Sequence, residues 1–179
     1  MPLCGCMKIH SEVAMKKIII FTLIMGFACT ILANESTFKN EILKQHNQYR
    51  EKHGVAKLEW NDSIASYAQQ WAHTLARENR MRHRSQRKYG ENIYWRSGGS
   101  VNGKMPVDSW YSEINYYNFK RQGFSSKTGH FTQVVWKNTT EIGCGKSVSS
   151  SGGIFVVCNY NPPGNFMGRF EKNVLPPKK

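Results

Sequence analysis

The sequence predicts an α+β fold. Three helical stretches occupy the first two thirds of the chain, strand-like segments follow, and two cysteines in the last third fall where a β-hairpin would pair them. With 179 residues, 40% apolar and 12% aromatic, the chain has material for one domain with its own core.

The first helix is predicted over residues 38–53. Phe38, Ile42, Leu43 and Tyr49 recur at helical spacing, Ser36 and Thr37 are placed to cap the start, and Gly54 ends the run. Inside it lies His46-Asn47-Gln48-Tyr49-Arg50, a polar cluster whose members cannot all face solvent. Its expected role is to tie the helix to neighbouring backbone. Leu58 and Trp60 lead into Asn61-Asp62-Ser63, a second capping signal. The helix that follows, to about Arg80, carries Ile64, Ala65, Ala68, Trp71, Ala72 and Leu75 on one stripe.

Met81 to Lys88 is strongly basic and has no period, so it reads as a loop. Gly90-Glu91-Asn92-Ile93-Tyr94-Trp95 is a short extended piece, closed by a flexible turn at Ser97-Gly98-Gly99-Ser100. A third helix is predicted from about Pro106 to Tyr117, with Val107, Trp110, Ile114 and Tyr117 as its buried stripe. Glu113, three residues after Trp110, falls on the flank of that stripe, facing a cleft. The loop from Asn118 to Thr128 then delivers the chain to Gly129-His130-Phe131-Thr132-Gln133-Val134-Val135-Trp136. Its β-branched and aromatic composition predicts a strand with His130 at its mouth and Phe131, Val135 and Trp136 as packing surfaces. An imidazole there can bind a metal, carry a proton or cap the sheet.

Ile142 to Val148 and Ile154 to Tyr160 are two further strands joined by Ser149-Ser150-Ser151-Gly152-Gly153, a hairpin. A turn centred on Ser151 puts Cys144 and Cys158 opposite each other, seven residues away on either side. A cross-strand disulfide is therefore expected, stabilising by roughly 3 kcal/mol on the chain-entropy account. The prolines of the tail, at 162, 163, 176 and 177, hold it in turns rather than in the sheet.

Residues 1–33 are set apart as an upstream extension and a signal peptide. Met15-Lys16-Lys17, the apolar run from Ile18 and the Ala33-Asn34 junction read as charged, apolar and cleavage regions, with Met15 as the expected start. The alternative of a membrane anchor meets a run diluted by Thr22, Gly26, Cys29 and Thr30, shorter than the ~20 residues a spanning helix needs. The domain is then expected over 34–179, secreted and extracellular, with no transmembrane segment. Removing Lys8, Lys16, Lys17 and Glu12 with the leader lowers the net charge from +13 to +11. That charge favours anionic lipid or glycan as partner; no nucleic-acid module is present. Of five cysteines only Cys144 and Cys158 remain, which suits one disulfide in an oxidising compartment, and sequons at Asn34, Asn61 and Asn138 fit the same route.

Taken in order, His46-Asn47-Gln48-Tyr49-Arg50, Gly90-Glu91-Asn92, Gly129 to Trp136 and Tyr160-Asn161-Pro162-Pro163-Gly164-Asn165 resemble the four signatures of the CAP superfamily. That group holds cysteine-rich secretory proteins, venom antigen 5 allergens and plant pathogenesis-related proteins of group 1. Trp110-Tyr111-Ser112-Glu113 and the ending from Phe170 resemble its Golgi-associated branch. A leader, a cysteine pair and the lack of a myristoylation-type start depart from that branch, so its location is not carried over.

The resemblance implies a three-layer α-β-α sandwich around a small antiparallel sheet. It also implies a cleft with His83, Glu91, Glu113 and His130, the two histidines binding Zn²⁺ or Mg²⁺ and the glutamates orienting them. The alternative is a hydrogen-bonded network that only locks the loops together. Lipid, sterol or anionic membrane binding, a protein receptor, and a monomer or weak homodimer belong to the same expectation. Hydrolysis would require Ser97 or a metal-bound water as nucleophile, with His83 or His130 as base and Glu91 orienting it, yet no nucleophile motif surrounds Ser97.

Overall fold

Asn61 begins a helix of 17 residues. Its side-chain oxygen accepts hydrogen bonds from the Ser63 and Ile64 amides, and Asn79, with φ of 47°, ends the helix in the left-handed region. The computed structural model describes residues 37–86 and 88–178. The leader, the start site, the Ser36 cap and the Asn34 sequon lie outside them. In chain order the elements are α1 (37–52), β1 (Glu59–Trp60), α2 (Asp62–Glu78), β2 (Gly90–Ser97) and α3 (Lys104–Ser112), which runs into a 3₁₀ turn (Glu113–Tyr116). They continue with α4 (Gly129–Val134), β3 (Glu141–Val148), β4 (Gly153–Asn161) and α5 (Phe170–Asn173).

The strands form one sheet in the order β1-β3-β4-β2, antiparallel except for two-residue β1, which pairs parallel with β3. α2 covers one face, its Ala68, Trp71, Ala72, Leu75 and Ala76 packing with Ile93, Phe155 and Val157 of the strands. Gly143 and Gly145 make this close seat possible, because a Cβ at either position would collide with the α2 backbone at Ala65 or Gln69. Gln69 also bonds both the N–H and the C=O of Lys146, occupying the β3 edge beyond the end of β1. On the other side of the sheet, α1 reaches β4 through His46 and Tyr160, α3 reaches β2 through the Trp110 indole and the Ile93 carbonyl, and α4 meets β2 at Asn92. These are the three layers. Among the described residues no helix is long and apolar enough to cross a membrane.

The hairpin register matches expectation: Cys144 lies opposite Cys158, their Cα atoms are 4.1 Å apart, and a disulfide joins them. The polar cluster of α1 is tied to backbone as predicted. Asn47 exchanges two hydrogen bonds with Leu58, and fully buried Arg50 donates to the carbonyls of Ala56, Val134, Trp136 and Thr139.

Two expectations are corrected. The segment opening at Gly129 is a helix, not a strand, so Phe131, Val134, Val135 and Trp136 are buried around α4 and the turn after it rather than on two faces of a sheet. Its ends explain the difference. The carboxylate of Glu113 accepts the His130 and Phe131 amides at the N-terminus, and the Arg50 guanidinium takes the Val134 and Trp136 carbonyls at the C-terminus. Both charges have the sign the helix dipole favours, so distant side chains supply what local composition does not. Ser97, read as part of a loop, is the last residue of β2, paired with Gly153.

Candidate functional site

Four elements converge on one cleft of about 630 Å³. Its lining includes His83 from the loop after α2, Glu91 and Asn92 from the start of β2, His130 and Gln133 from α4, and Pro163 to Met167 from the proline turn after β4. Gln133 fixes the floor. Its Oε1 accepts from the Gly164 amide at 2.9 Å, and both Gly90 and Gly164 approach so closely that a Cβ on either would strike the Gln133 amide. Thr132 donates to Asn165 at 2.6 Å and Asn165 donates back to the Gly129 carbonyl, which joins the proline turn to the start of α4.

The four residues named from the sequence form two pairs. His83 Nδ1 donates to Glu91 Oε1 at 2.8 Å, and the same oxygen accepts the Arg84 amide at 3.1 Å. His130 Nδ1 donates to Glu113 Oε1 at 2.7 Å, while Glu113 Oε2 takes the His130 and Phe131 amides. In each pair the carboxylate is the more buried partner: 4% exposed for Glu91 against 46% for His83, and 19% for Glu113 against 29% for His130. Glu113 stands behind His130 and outside the cleft lining. An ionised carboxylate can only accept, so both rings carry a proton on Nδ1, which leaves Nε2 as the nitrogen that bears the lone pair of the neutral tautomer.

Trp110 lies between His130, with ring centroids 6.4 Å apart, and His46, at 6.1 Å. Asn92 links the same two regions, donating from Nδ2 to the His130 carbonyl and to the Tyr160 hydroxyl. Tyr160 in turn donates to His46 Nε2 at 2.8 Å, and His46 Nδ1 donates to the Ile42 carbonyl. Complete burial lowers the His46 pKa to about 4 and holds the Tyr160 hydroxyl well above its usual range.

The structure leaves Ser97 outside this cleft. It follows Glu91 by six residues on one strand, a distance of roughly 20 Å at the usual rise. Sequence reasoning did not single out Asn92 and Gln133 as cleft residues, or the exposed Phe166 and Met167 on its rim beside Phe124. The Tyr160-to-Asn165 motif contains the turn that carries the rim, but nothing in it distinguishes rim from tail.

A mixed sheet between helical layers, with paired histidines and glutamates at one end, defines a class of protein before any relative is considered. The model of the family described as "CAP: Cysteine-rich secretory protein family" matches residues 43–160, and the chain belongs to that family. It is 49% identical over 147 residues to human Golgi-associated plant pathogenesis-related protein 1, covering 79% of this chain and 95% of that one. It is 36% identical over 149 residues to pathogenesis-related protein 1 of Arabidopsis thaliana, covering 83% and 90%. Among solved structures, NaASP2 with Zn²⁺ superposes with a TM-score of 0.62 at 23% identity, covering 80% of this chain and 87% of that one. BmVAL-1 does so at 0.60 and 22%, covering 73% and 79%. At these identities the structures speak for the fold.

Proposed function

We propose that this chain is an exported CAP-domain binding protein whose cleft holds a divalent metal through His83 and His130 and takes a lipid or sterol along its apolar rim. The observation that carries the reading is the pairing of both rings: each is committed to a carboxylate through Nδ1 and leaves Nε2 for a ligand. Imidazole donors suit Zn²⁺ better than Mg²⁺. Among the described residues no three His, Cys, Asp or Glu side chains converge, so the protein contributes two donors and the other positions go to water or a bound molecule. A metal so held supplies a positive charge for an anionic headgroup. Glu91 and Glu113 then act by orienting the rings.

Phe124, Phe166 and Met167 are exposed at the cleft mouth and supply its apolar contact surface. The NaASP2 structure with Zn²⁺ supports metal binding within this fold. The disulfide and the leader-like N-terminus support export. Binding rather than hydrolysis is favoured by the position of Ser97, remote from Glu91 along β2.

Calorimetric titration of Zn²⁺ into the wild type and into a His83→Ala, His130→Ala double variant tests this. The reading requires binding by the wild type that the double variant loses; equal heats from both would remove it.

A further inference from the structure

The loop between α2 and β2 carries, besides the His83 and Tyr89 that it gives to the cleft, a row of cations that are not part of the cleft lining. Between Arg77 and Glu91 the sequence places Arg77, Arg80, Arg82, Arg84, Arg87 and Lys88 against only Glu78 and Glu91, a net +4 of the chain's +13 within fifteen residues. An ordinary basic loop of this kind is a mobile, solvated face. Here three of its cations are fixed by aromatic rings. The Arg82 guanidinium lies 4.5 Å from the Trp71 ring centroid, Arg84 lies 5.2 Å from the same ring and 3.6 Å from Tyr67, Tyr67 meets Tyr89 edge-on at 5.2 Å, and Lys88 lies 5.2 Å over Tyr89. The sequence of contacts is a ladder, Arg82, Trp71, Arg84, Tyr67, Tyr89, Lys88.

Backbone contacts hold the ladder in place. Arg84 donates to the Tyr67 carbonyl, Trp71 to the Arg82 carbonyl and Tyr67 to the Gln86 carbonyl. Arg82 pairs with Glu78, but among the described residues no carboxylate lies within ion-pair distance of Arg77, Arg80, Arg84 or Lys88. Cations held in a row lose little conformational freedom when anions reach them, which is the condition for recognising charges at a fixed spacing.

From this we infer that the ladder is a binding surface for a linear sulfated polysaccharide, lying beside the cleft and independent of any metal in it. A bilayer is the poorer fit to this face. Of its residues only Met81 is an exposed large apolar side chain, whereas interfacial docking calls for an apolar surface to bury. A polyanionic chain needs only successive charges, and its binding falls with salt as condensed counterions are released.

The test titrates a heparin dodecasaccharide into the full domain at 0.15 M NaCl, with an unsulfated oligosaccharide of equal length and phosphatidylserine-containing vesicles as parallel probes. An Arg82→Gln, Arg84→Gln, Lys88→Gln variant is compared with Lys44→Gln, Lys57→Gln, Lys172→Gln, which removes the same charge from exposed positions elsewhere. The expected result is binding of the sulfated chain alone among the sugars, weakened about tenfold or more by the ladder variant and less than about twofold by the control. Vesicle binding should be the same in both variants. Arg80→Gln with Lys88→Gln, both exposed, guards against a folding defect from Arg84 and should weaken binding about threefold. No binding by the wild type, equal weakening in ladder and control variants, or a ladder variant that loses vesicles but keeps the sulfated chain would overturn the inference.

Discussion

Two histidine-containing polar clusters lie on either side of Trp110, and they differ in how many ring nitrogens the protein uses. At His46 both are engaged, one by Ile42 and one by Tyr160, and the ring is sealed from water. At His83 and His130 a carboxylate engages Nδ1, Nε2 has no hydrogen-bond partner among the described residues, and the rings line a cleft. The same residue type is thus a structural joint where its second nitrogen is spent inside and a candidate ligand where the ring lines the cleft. Arg50 and Glu113 show the contrast among the charges: Arg50 spends its guanidinium on four carbonyls, whereas Glu113 closes the N-terminus of α4 and also holds a cleft ring.

The largest effect should come from the sealed cluster. Arg50→Met leaves the carbonyls of Ala56, Val134, Trp136 and Thr139 without their donor, and equilibrium urea unfolding should show a loss of about 3 kcal/mol or more. A loss under about 1 kcal/mol would mean that α4 does not depend on this clamp.

His46 separates the clusters by pH. Its folded pKa of about 4 lies below the ordinary histidine value of 6.5, so the neutral ring stabilises the fold above about 6.5 and that contribution is lost as pH falls toward 4. Protonation would turn Nε2 into a donor facing the Tyr160 hydroxyl, which already points its own hydrogen there. The full loss is on the order of 3 kcal/mol. His53, also lowered mainly by burial, acts in the same direction. Stability of His46→Gln measured from pH 7 to 4 should fall less steeply than that of the wild type; parallel curves would show that His46 does not carry the acid sensitivity.

Much of this architecture can be read from residues close in sequence. The Asn61 cap, the α2 stripe and the hairpin with its facing cysteines each depend on neighbours within one element or across one turn. The helix at Gly129 could not be read that way. Thr132, Val134, Val135 and Trp136 favour a strand by composition, and the groups that make the segment helical are Glu113, seventeen residues before His130, and Arg50, far upstream. Position in the site follows the same rule. The family resemblance implied His83, Glu91, Glu113 and His130, but the proton placement within the two pairs and the place of Glu113 behind His130 depend on tertiary contacts.

A smaller effect is expected at the acid that serves both the helix and the ring. Glu113→Ala removes the acceptor for two helix amides and for His130 Nδ1, at a cost of about 1–2 kcal/mol in unfolding. The same change should weaken Zn²⁺ binding about tenfold or more in calorimetry, because the ring loses its orientation. Unchanged Zn²⁺ affinity would show that ring orientation by Glu113 contributes nothing to the site.

The distinction between spent and open nitrogens is most directly measured by the histidine ring ¹⁵N spectrum, recorded with and without Zn²⁺ at pH 7.5. On this distinction His83 and His130 are expected as Nδ1–H tautomers whose Nε2 resonances move on addition of Zn²⁺, while His46 stays in place. Nε2–H tautomers at His83 and His130, or a Zn²⁺ response that leaves both unmoved, would contradict it.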